Sequence, residues 1–434
     1  MVVAALPAGV CSGAAGLVRL LVSHTNFPAQ FRRLVPAWVE QGHEVVFLAR
    51  QHEWHAPQPE GFQLLRYTPH RGGGGAAIHP YLRRFETAVL EGQAAYRAAI
   101  SLREQGWQPD WIINHVGFGN GLYLGDAFPE ARRIGLFEWY YNPTESDVDF
   151  LPPHAVTPDQ QLRLRTWNAQ TLLELAACDR AVVPTHWQRQ QFPQHLRDRF
   201  QVIHEGVDTA LLGSLRSANL PRPACLPDHP DLEVLTYVSR CFEEYRGFPQ
   251  AIEAIARLQQ RRPNLHVLVV GHDGTAYGQG RSDGRGWAEW ARDTLPLDPA
   301  RTHWLGSLQE EAYHQVLACS TVHLYLTVPF VLSWSLLEAM AAGCAIVAGA
   351  TPPVQEVLAH ERSALLVDFF DVDAMVAAVL KLLGEPPLRQ RLATRAQQRS
   401  KIYGCKRGLS SWAALLSAEP LEGILTKRHK PVGG

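Results

Sequence analysis

No lysine occurs before Lys381 in this 434-residue chain. A Schiff-base cofactor such as pyridoxal phosphate therefore finds no anchoring side-chain amine in the first 380 residues. Seven cysteines run scattered from Cys11 to Cys405 without a Cys-x-x-Cys pair. That usage fits a reducing compartment and argues against a disulfide framework or a zinc site. Neither charge is in excess: 41 Lys and Arg face 42 Asp and Glu, a net charge of −1, so electrostatics make no case for nucleic acid as a partner. No apolar run reaches the length that crosses a bilayer. No G-x-G-x-x-G follows the first predicted strand, so nothing supports NAD or FAD. No basic residue precedes Arg19, and the Ala-, Val- and Gly-rich stretch 1–17 lacks the positive start of a secretory signal. It reads as a disordered extension or a start codon placed too early, and the chain as cytoplasmic.

What remains is an ordinary globular composition, 46% hydrophobic and 19% charged, at a length that suggests two or three domains. Strand and helix patterns alternate from Val18 onward. VRLLVSH (Val18–His24) reads as a buried strand, followed by a helix, a turn at Gly42 and a second strand, a βαβ unit. The run Arg71–Gly75 follows no clear strand and reads as a flexible surface loop, with a phosphate cradle as the alternative. A long helix is predicted over Tyr81–Gln105, then a strand WIINHVG that ends on His115 and a Gly-rich turn. In open α/β sheets ligands gather beyond the carboxyl ends of strands, so His115 is either a ligand contact or a structural strand-end histidine. FEWYY (Phe137–Tyr141) marks another strand end, where Glu138 beside aromatic rings suits the C–H faces of a sugar as well as core packing.

The Pro-rich stretch 215–231 reads as a linker, after which the alternation restarts. LEVLTYVSR ends at Arg240, and the following loop carries Arg246. Two guanidinium groups around one strand-to-helix loop can serve one phosphate pair or simply be solvated. The polar, Gly-rich stretch after Gly271 is longer than such turns usually are and reads as a lid or an acceptor contact. The organising stretch is Tyr325–Asp368. A buried strand VHLYL precedes it, Ser333 or Ser335 can N-cap the helix that follows, and Gly343 suits its C-terminal end. Strand, loop and helix N-terminus make a ready anion site, and Glu338 sits roughly a turn and a half into the helix. Two Asp-x-Asp pairs, Asp147–Asp149 and Asp371–Asp373, read as a loop and a helix cap, and no obligatory metal is expected.

LLEAMAAGCAIVAGATPPVQEVLAHERSALLVD closely resembles the donor-binding segment of retaining family-4 glycosyltransferases, which have the GT-B fold. The resemblance spans most of the chain and is strongest from Ile203 to Asp368. It implies an α/β protein of two Rossmann-like domains facing across a cleft: an acceptor domain over 18–214, the linker, a donor domain over 232–404, a helix over 405–418 crossing back to the first domain, and a tail over 419–434. It implies that Glu338, the second acid of a Glu-x7-Glu pair, contacts the nucleotide ribose, while the first acid's position falls on Phe330. Arg240 and Arg246 correspond to an Arg and a Lys that hold the diphosphate. His115 approaches the donor sugar, Glu138 joins Phe330 on the sugar and acceptor side, Leu305 and Gly306 set their backbone against the base, and Ser333, Trp334 and Ser335 complete the donor nucleotide site. The implied reaction moves a sugar from a nucleotide diphosphate sugar to a hydroxyl, with retention of configuration and no cofactor. The expected partners are that donor and a glycan or lipid-linked acceptor; peripheral membrane contact fits the latter, and nucleic acid is not expected. Rival readings are a sugar-nucleotide epimerase or a phosphorylase of the same layout, the latter opposed by the missing lysines, and a sugar-binding scaffold inactive through Phe330.

Overall fold

A computed structural model describes residues 16–50, 58–152, 155–218 and 220–417. The expected extension, except for its last two positions, and the expected tail lie outside the described residues. The chain divides into two compact units. The first takes residues up to Thr144, Val156–Gly206 and the chain from Cys405; the second takes Glu145–Ala155 and Val207–Gly404.

Among the described residues the first unit is built on seven parallel strands, β1 (Arg19–Ser23), β2 (Glu44–Ala49), β3 (Phe62–Arg66), β4 (Trp111–His115), β5 (Arg132–Leu136), β6 (Arg180–Val183) and β7 (Phe200–Val202), in the order 3-2-1-4-5-6-7. Successive side chains of a strand point to opposite faces. Accordingly Leu20, Val22, Val45, Phe47 and Ile113 enter one core cluster, while Leu21, Val46, Leu48 and Ile112 enter another. Burial on both faces is why these strands read as unbroken apolar runs. Helix Cys405–Ser417 packs into the first of these clusters through Leu409, Trp412 and Leu415, with Trp412 edge-on to Trp38 at 5.9 Å. Gly408 allows that approach, since a Cβ there would meet the His204 carbonyl at 2.6 Å.

The second unit repeats the plan with β8 (Glu233–Phe242), β9 (Leu265–Asp273), β10 (Thr302–Gly306), β11 (Val322–Tyr325), β12 (Ala345–Gly349) and β13 (Leu365–Val367), ordered 10-9-8-11-12-13. Both sheets reverse strand order once, between β1 and β4 and between β8 and β11, and ligands of such sheets settle at that switch point. The division between units falls after Gly206, earlier than the Pro-rich stretch suggests. The reason is packing: Val207, Leu212 and Leu215 are buried in one cluster with helix Trp334–Ala341. Residues 145–155 also group with the second unit, where Phe150 packs on Phe369 and Phe370 at 5.1 and 5.2 Å.

Candidate functional site

At the switch point of the second sheet, β8 runs into a 3-10 turn, Glu244–Arg246, and Gly247 opens helix Phe248–Arg261. Gly247 has φ +60°, and a Cβ there would lie 2.5 Å from Leu326 Cβ, so only glycine fits. The turn buries Arg246, whose Nη1 donates to Thr327 Oγ1 at 2.7 Å and to the Val331 carbonyl at 3.1 Å. Those two bonds use both Nη1 hydrogens. The Nε and Nη2 edge keeps three N–H groups with no hydrogen-bond partner among the described residues. Arg240, by contrast, is exposed on β8 and makes no hydrogen bond or ion pair among the described residues. Sequence spacing treats the two arginines as equals; burial separates them.

Ser333, rather than Ser335, caps helix Trp334–Ala341: its Oγ accepts from the Ser335 N–H at 3.3 Å. The two serine hydroxyls lie 2.9 Å apart, and the Ser333 N–H donates to Tyr325 Oη at 3.0 Å. Trp334 is the first helical residue and is half-buried. Glu338 lies beyond the first turn and is buried, its Oε2 accepting from Tyr313 Oη at 3.0 Å. Leu305 and Gly306 close β10, where the register with β9 shifts and Gly306 takes φ +64°. His272 links this end to β8, with Nδ1 3.1 Å from Ser307 Oγ and Nε2 3.7 Å from Cys241 Sγ.

Phe330 lies among rings, 5.8 Å from Tyr245 and 5.1 Å from Tyr277. Tyr277 belongs to the Gly-rich stretch after Gly271, which is not the long open loop its composition suggests. Glu243 Oε2 accepts from the N–H groups of Ala276, Tyr277 and Gly278 at 3.2, 3.1 and 3.0 Å. Asp273 Oδ1 receives the Ala288 N–H at 2.8 Å, and helix Trp287–Thr294 takes up the rest of the stretch. The Arg71–Gly75 run is likewise held, since Glu86 accepts from the Gly74 N–H and pairs with Arg71 at 2.6 Å. The Asp-x-Asp carboxylates are engaged in packing the chain. Asp149 accepts from the Glu145 and Ser146 N–H groups, and Asp147 from Tyr245 Oη. Asp371 caps a helix and Asp373 meets Arg257.

In the first unit, His115 ends β4 beside the switch point and is buried. Its Nε2 lies 3.3 Å from Glu138 Oε2, within ion-pair reach although outside hydrogen-bond geometry. Gln30 Nε2 donates to the other Glu138 oxygen at 2.7 Å. Burial pushes the Glu138 pKa up, but His115, Gln30 and His24 outweigh it and hold the carboxyl below its usual range. His24, at the end of β1, packs edge-on to His115 at 4.8 Å, and Phe118 touches both rings. Burial, helped by His115, pushes the His24 pKa down to about 3. The sequence reading gives His24 only as the end of a strand and does not single out Gln30. The rule that points to His115, a polar residue at a strand end on the switch point, also points to His24.

Beneath His115 lies a buried carboxyl, Glu174 of helix Pro158–Ala177. It accepts from Asn114 Nδ2 at 2.6 Å and from Gln170 Nε2 at 2.8 Å. Burial pushes its pKa from 4.5 to about 7 against those bonds. A raised acid binds a proton in the folded state that the unfolded chain has lost, so stability falls as pH rises from about 4.5 to about 7. Glu174→Gln removes this loss. Its unfolding free energy relative to wild type is expected to be about 3 kcal/mol higher at pH 8 than at pH 4, read by denaturant titration at both values. An unchanged difference would mean that Glu174 titrates normally.

Residues 41–212 match the family described as Glycosyl transferase family 4 group, and residues 227–399 match Glycosyl transferases group 1. A phosphatidyl-myo-inositol mannosyltransferase of Mycolicibacterium smegmatis is 28% identical over 370 residues, 84% of this chain and 82% of that protein. Among solved structures, sucrose-phosphate synthase from Thermosynechococcus elongatus matches with a TM-score of 0.65 at 16% identity, covering 92% of this chain and 98% of that one. A UDP-forming α,α-trehalose-phosphate synthase from Burkholderia xenovorans matches with a TM-score of 0.66 at 14% identity, covering 92% and 99%. With a family match on each sheet and a shared fold over most of its length, the chain belongs to the group 1 glycosyltransferases of the GT-B fold.

Proposed function

We propose that the chain transfers a hexosyl group from a nucleoside diphosphate sugar to a hydroxyl of a glycan or lipid-linked acceptor. Anomeric configuration is retained, and neither a cofactor nor an obligatory metal takes part. The observation that carries this reading is the open Nε and Nη2 edge of Arg246, fixed by Thr327 and Val331 close to the cap of helix Trp334–Ala341. A planar guanidinium edge binds phosphate oxygens bidentately, and the helix start adds favourable dipole. Glu338 takes the ribose hydroxyls, and the Leu305–Gly306 backbone meets the base.

In the reaction the bond from sugar C1 to the phosphate oxygen breaks, and a bond from the acceptor oxygen to C1 forms on the same face. The acceptor's proton passes to the leaving phosphate oxygen. Arg246 and the Ser333–Ser335 region stabilise the departing charge, which is electrostatic work by groups already in position. Arg240 adds long-range positive charge, and His115 with Glu138 is assigned to the sugar. The mannosyltransferase relative is named for a hexosyl group and a phosphoinositide, and the trehalose-phosphate synthase neighbour for forming UDP; both suit this reading. Among the described residues no helix is long and apolar enough to cross a membrane. A cytoplasmic enzyme meeting a lipid-linked acceptor by peripheral contact is part of the proposal.

A panel of nucleotide sugars, each incubated with and without glycan and lipid-linked acceptors, tests the proposal. One donor is expected to release nucleoside diphosphate only when acceptor is present, and the product's anomeric proton coupling is expected to match the donor's. Release without acceptor would point to an epimerase instead. Binding without release from any donor would point to an inactive scaffold.

A further inference from the structure

Tyr277 is 44% exposed, yet its backbone is tightly held. Glu243 is 1% exposed, and one of its oxygens receives three successive backbone N–H groups, those of Ala276, Tyr277 and Gly278. Hydrogen bonds to a carboxylate are the stronger kind, so this is a rigid mount. The Tyr277 ring lies 5.2 Å from the Arg246 guanidinium and 5.1 Å from the Phe330 ring. Beyond Phe330, Tyr245 is fixed in turn by Asp147, which accepts its hydroxyl at 2.9 Å. Two carboxylates therefore serve to hold aromatic rings, and none is presented at position 330 itself.

The geometry points to an aromatic donor-sugar subsite. Tyr277 and Phe330 take the C–H face of the transferred sugar and favour donors deoxygenated at C6, with Glu243 as the positioning residue for Tyr277. This rests on the reading of Arg246 as a diphosphate ligand. The sugar's C1 is bonded directly to a phosphate oxygen, so a ring 5.2 Å from that guanidinium is within reach of the sugar. A phenyl ring cannot accept a sugar hydroxyl's hydrogen bond as a carboxylate would. A hydroxyl set against it loses water and gains no partner. C6 is the one carbon of a hexose outside the ring, so removing its hydroxyl makes the methyl group that an aromatic surface can best bury.

Calorimetric titration with pairs differing only at that hydroxyl tests the assignment: UDP-glucose against UDP-6-deoxyglucose, GDP-mannose against GDP-D-rhamnose, and dTDP-glucose against dTDP-6-deoxyglucose. UDP, GDP and dTDP are measured alongside. On the nucleotide the protein accepts, the 6-deoxy donor is expected to bind about tenfold more tightly, and Phe330→Glu to reverse that preference. Tyr277→Ala, at an exposed side chain, is expected to weaken both sugar donors about tenfold while leaving the bare nucleoside diphosphate unchanged. Glu243→Gln is expected to lower the same ratio of donor to diphosphate affinity, whereas a merely structural Glu243 would lower both together. The subsite is overturned if the diphosphate binds normally but Tyr277→Ala keeps the wild-type ratio, or if wild type prefers the hydroxylated donor. Failure of wild type to bind any of the three diphosphates would instead overturn the reading of Arg246, and the subsite with it.

Discussion

Replacing Arg246 with alanine is expected to weaken nucleotide-sugar binding about a hundredfold, while the same change at Arg240 is expected to weaken it by no more than about fivefold. Each hydrogen bond to a charged group contributes roughly 1.5–3 kcal/mol, and a bidentate phosphate contact uses two. Arg246 can deliver that contact because its side chain is buried and oriented before the ligand arrives, with Nη1 committed to Thr327 and Val331. Arg240 is exposed, so solvent screens its charge and binding must first order its side chain. Arg246→Lys keeps the charge and loses the planar fork, and an affinity between wild type and alanine is expected. Calorimetry with nucleoside diphosphate and with the donor measures all three variants, with melting temperature without ligand as the control for lost packing. Wild-type affinity in Arg246→Ala would remove this residue from the site. Equal losses at both positions would show that burial is not what sorts them.

Glu338→Gln is expected to slow transfer at least tenfold, a difference of about 1.4 kcal/mol, with little change in melting temperature in the absence of ligand. Glutamine keeps the shape and one acceptor oxygen, so Tyr313 retains its partner. What goes is the charge with which a carboxylate holds a ribose diol. A carboxylate serving only the helix dipole would act from the first turn and contribute about 0.3–1 kcal/mol to stability. Glu338 lies beyond that turn, buried among core residues. The deciding measurement is melting temperature with and without nucleoside diphosphate, for wild type and mutant. A mutant that nucleotide stabilises as strongly as wild type would rule out ribose binding by Glu338.

By itself the sequence determined the alternation of strands and helices, the second nucleotide-type half, the Ser333 or Ser335 cap and the inward-facing Glu338. Each of these depends on residues a few positions apart: apolar runs that suit buried parallel strands, a hydroxyl before a helix, a glycine after it. It left β3 unread, because FQLLR is short and half polar. The tertiary structure alone decided which arginine is buried and held by Thr327 and Val331, which serine caps the helix and what surrounds Phe330. It alone mounted Tyr277 on Glu243, some 34 residues away, set Tyr313 against Glu338 across 25, and drew Val207–Leu215 into the second unit's core. The physical reason is common to all of them. A hydrogen bond or ring contact between distant positions leaves no period in the chain, and whether an arginine is fixed or solvated depends on burial, which local pattern does not specify.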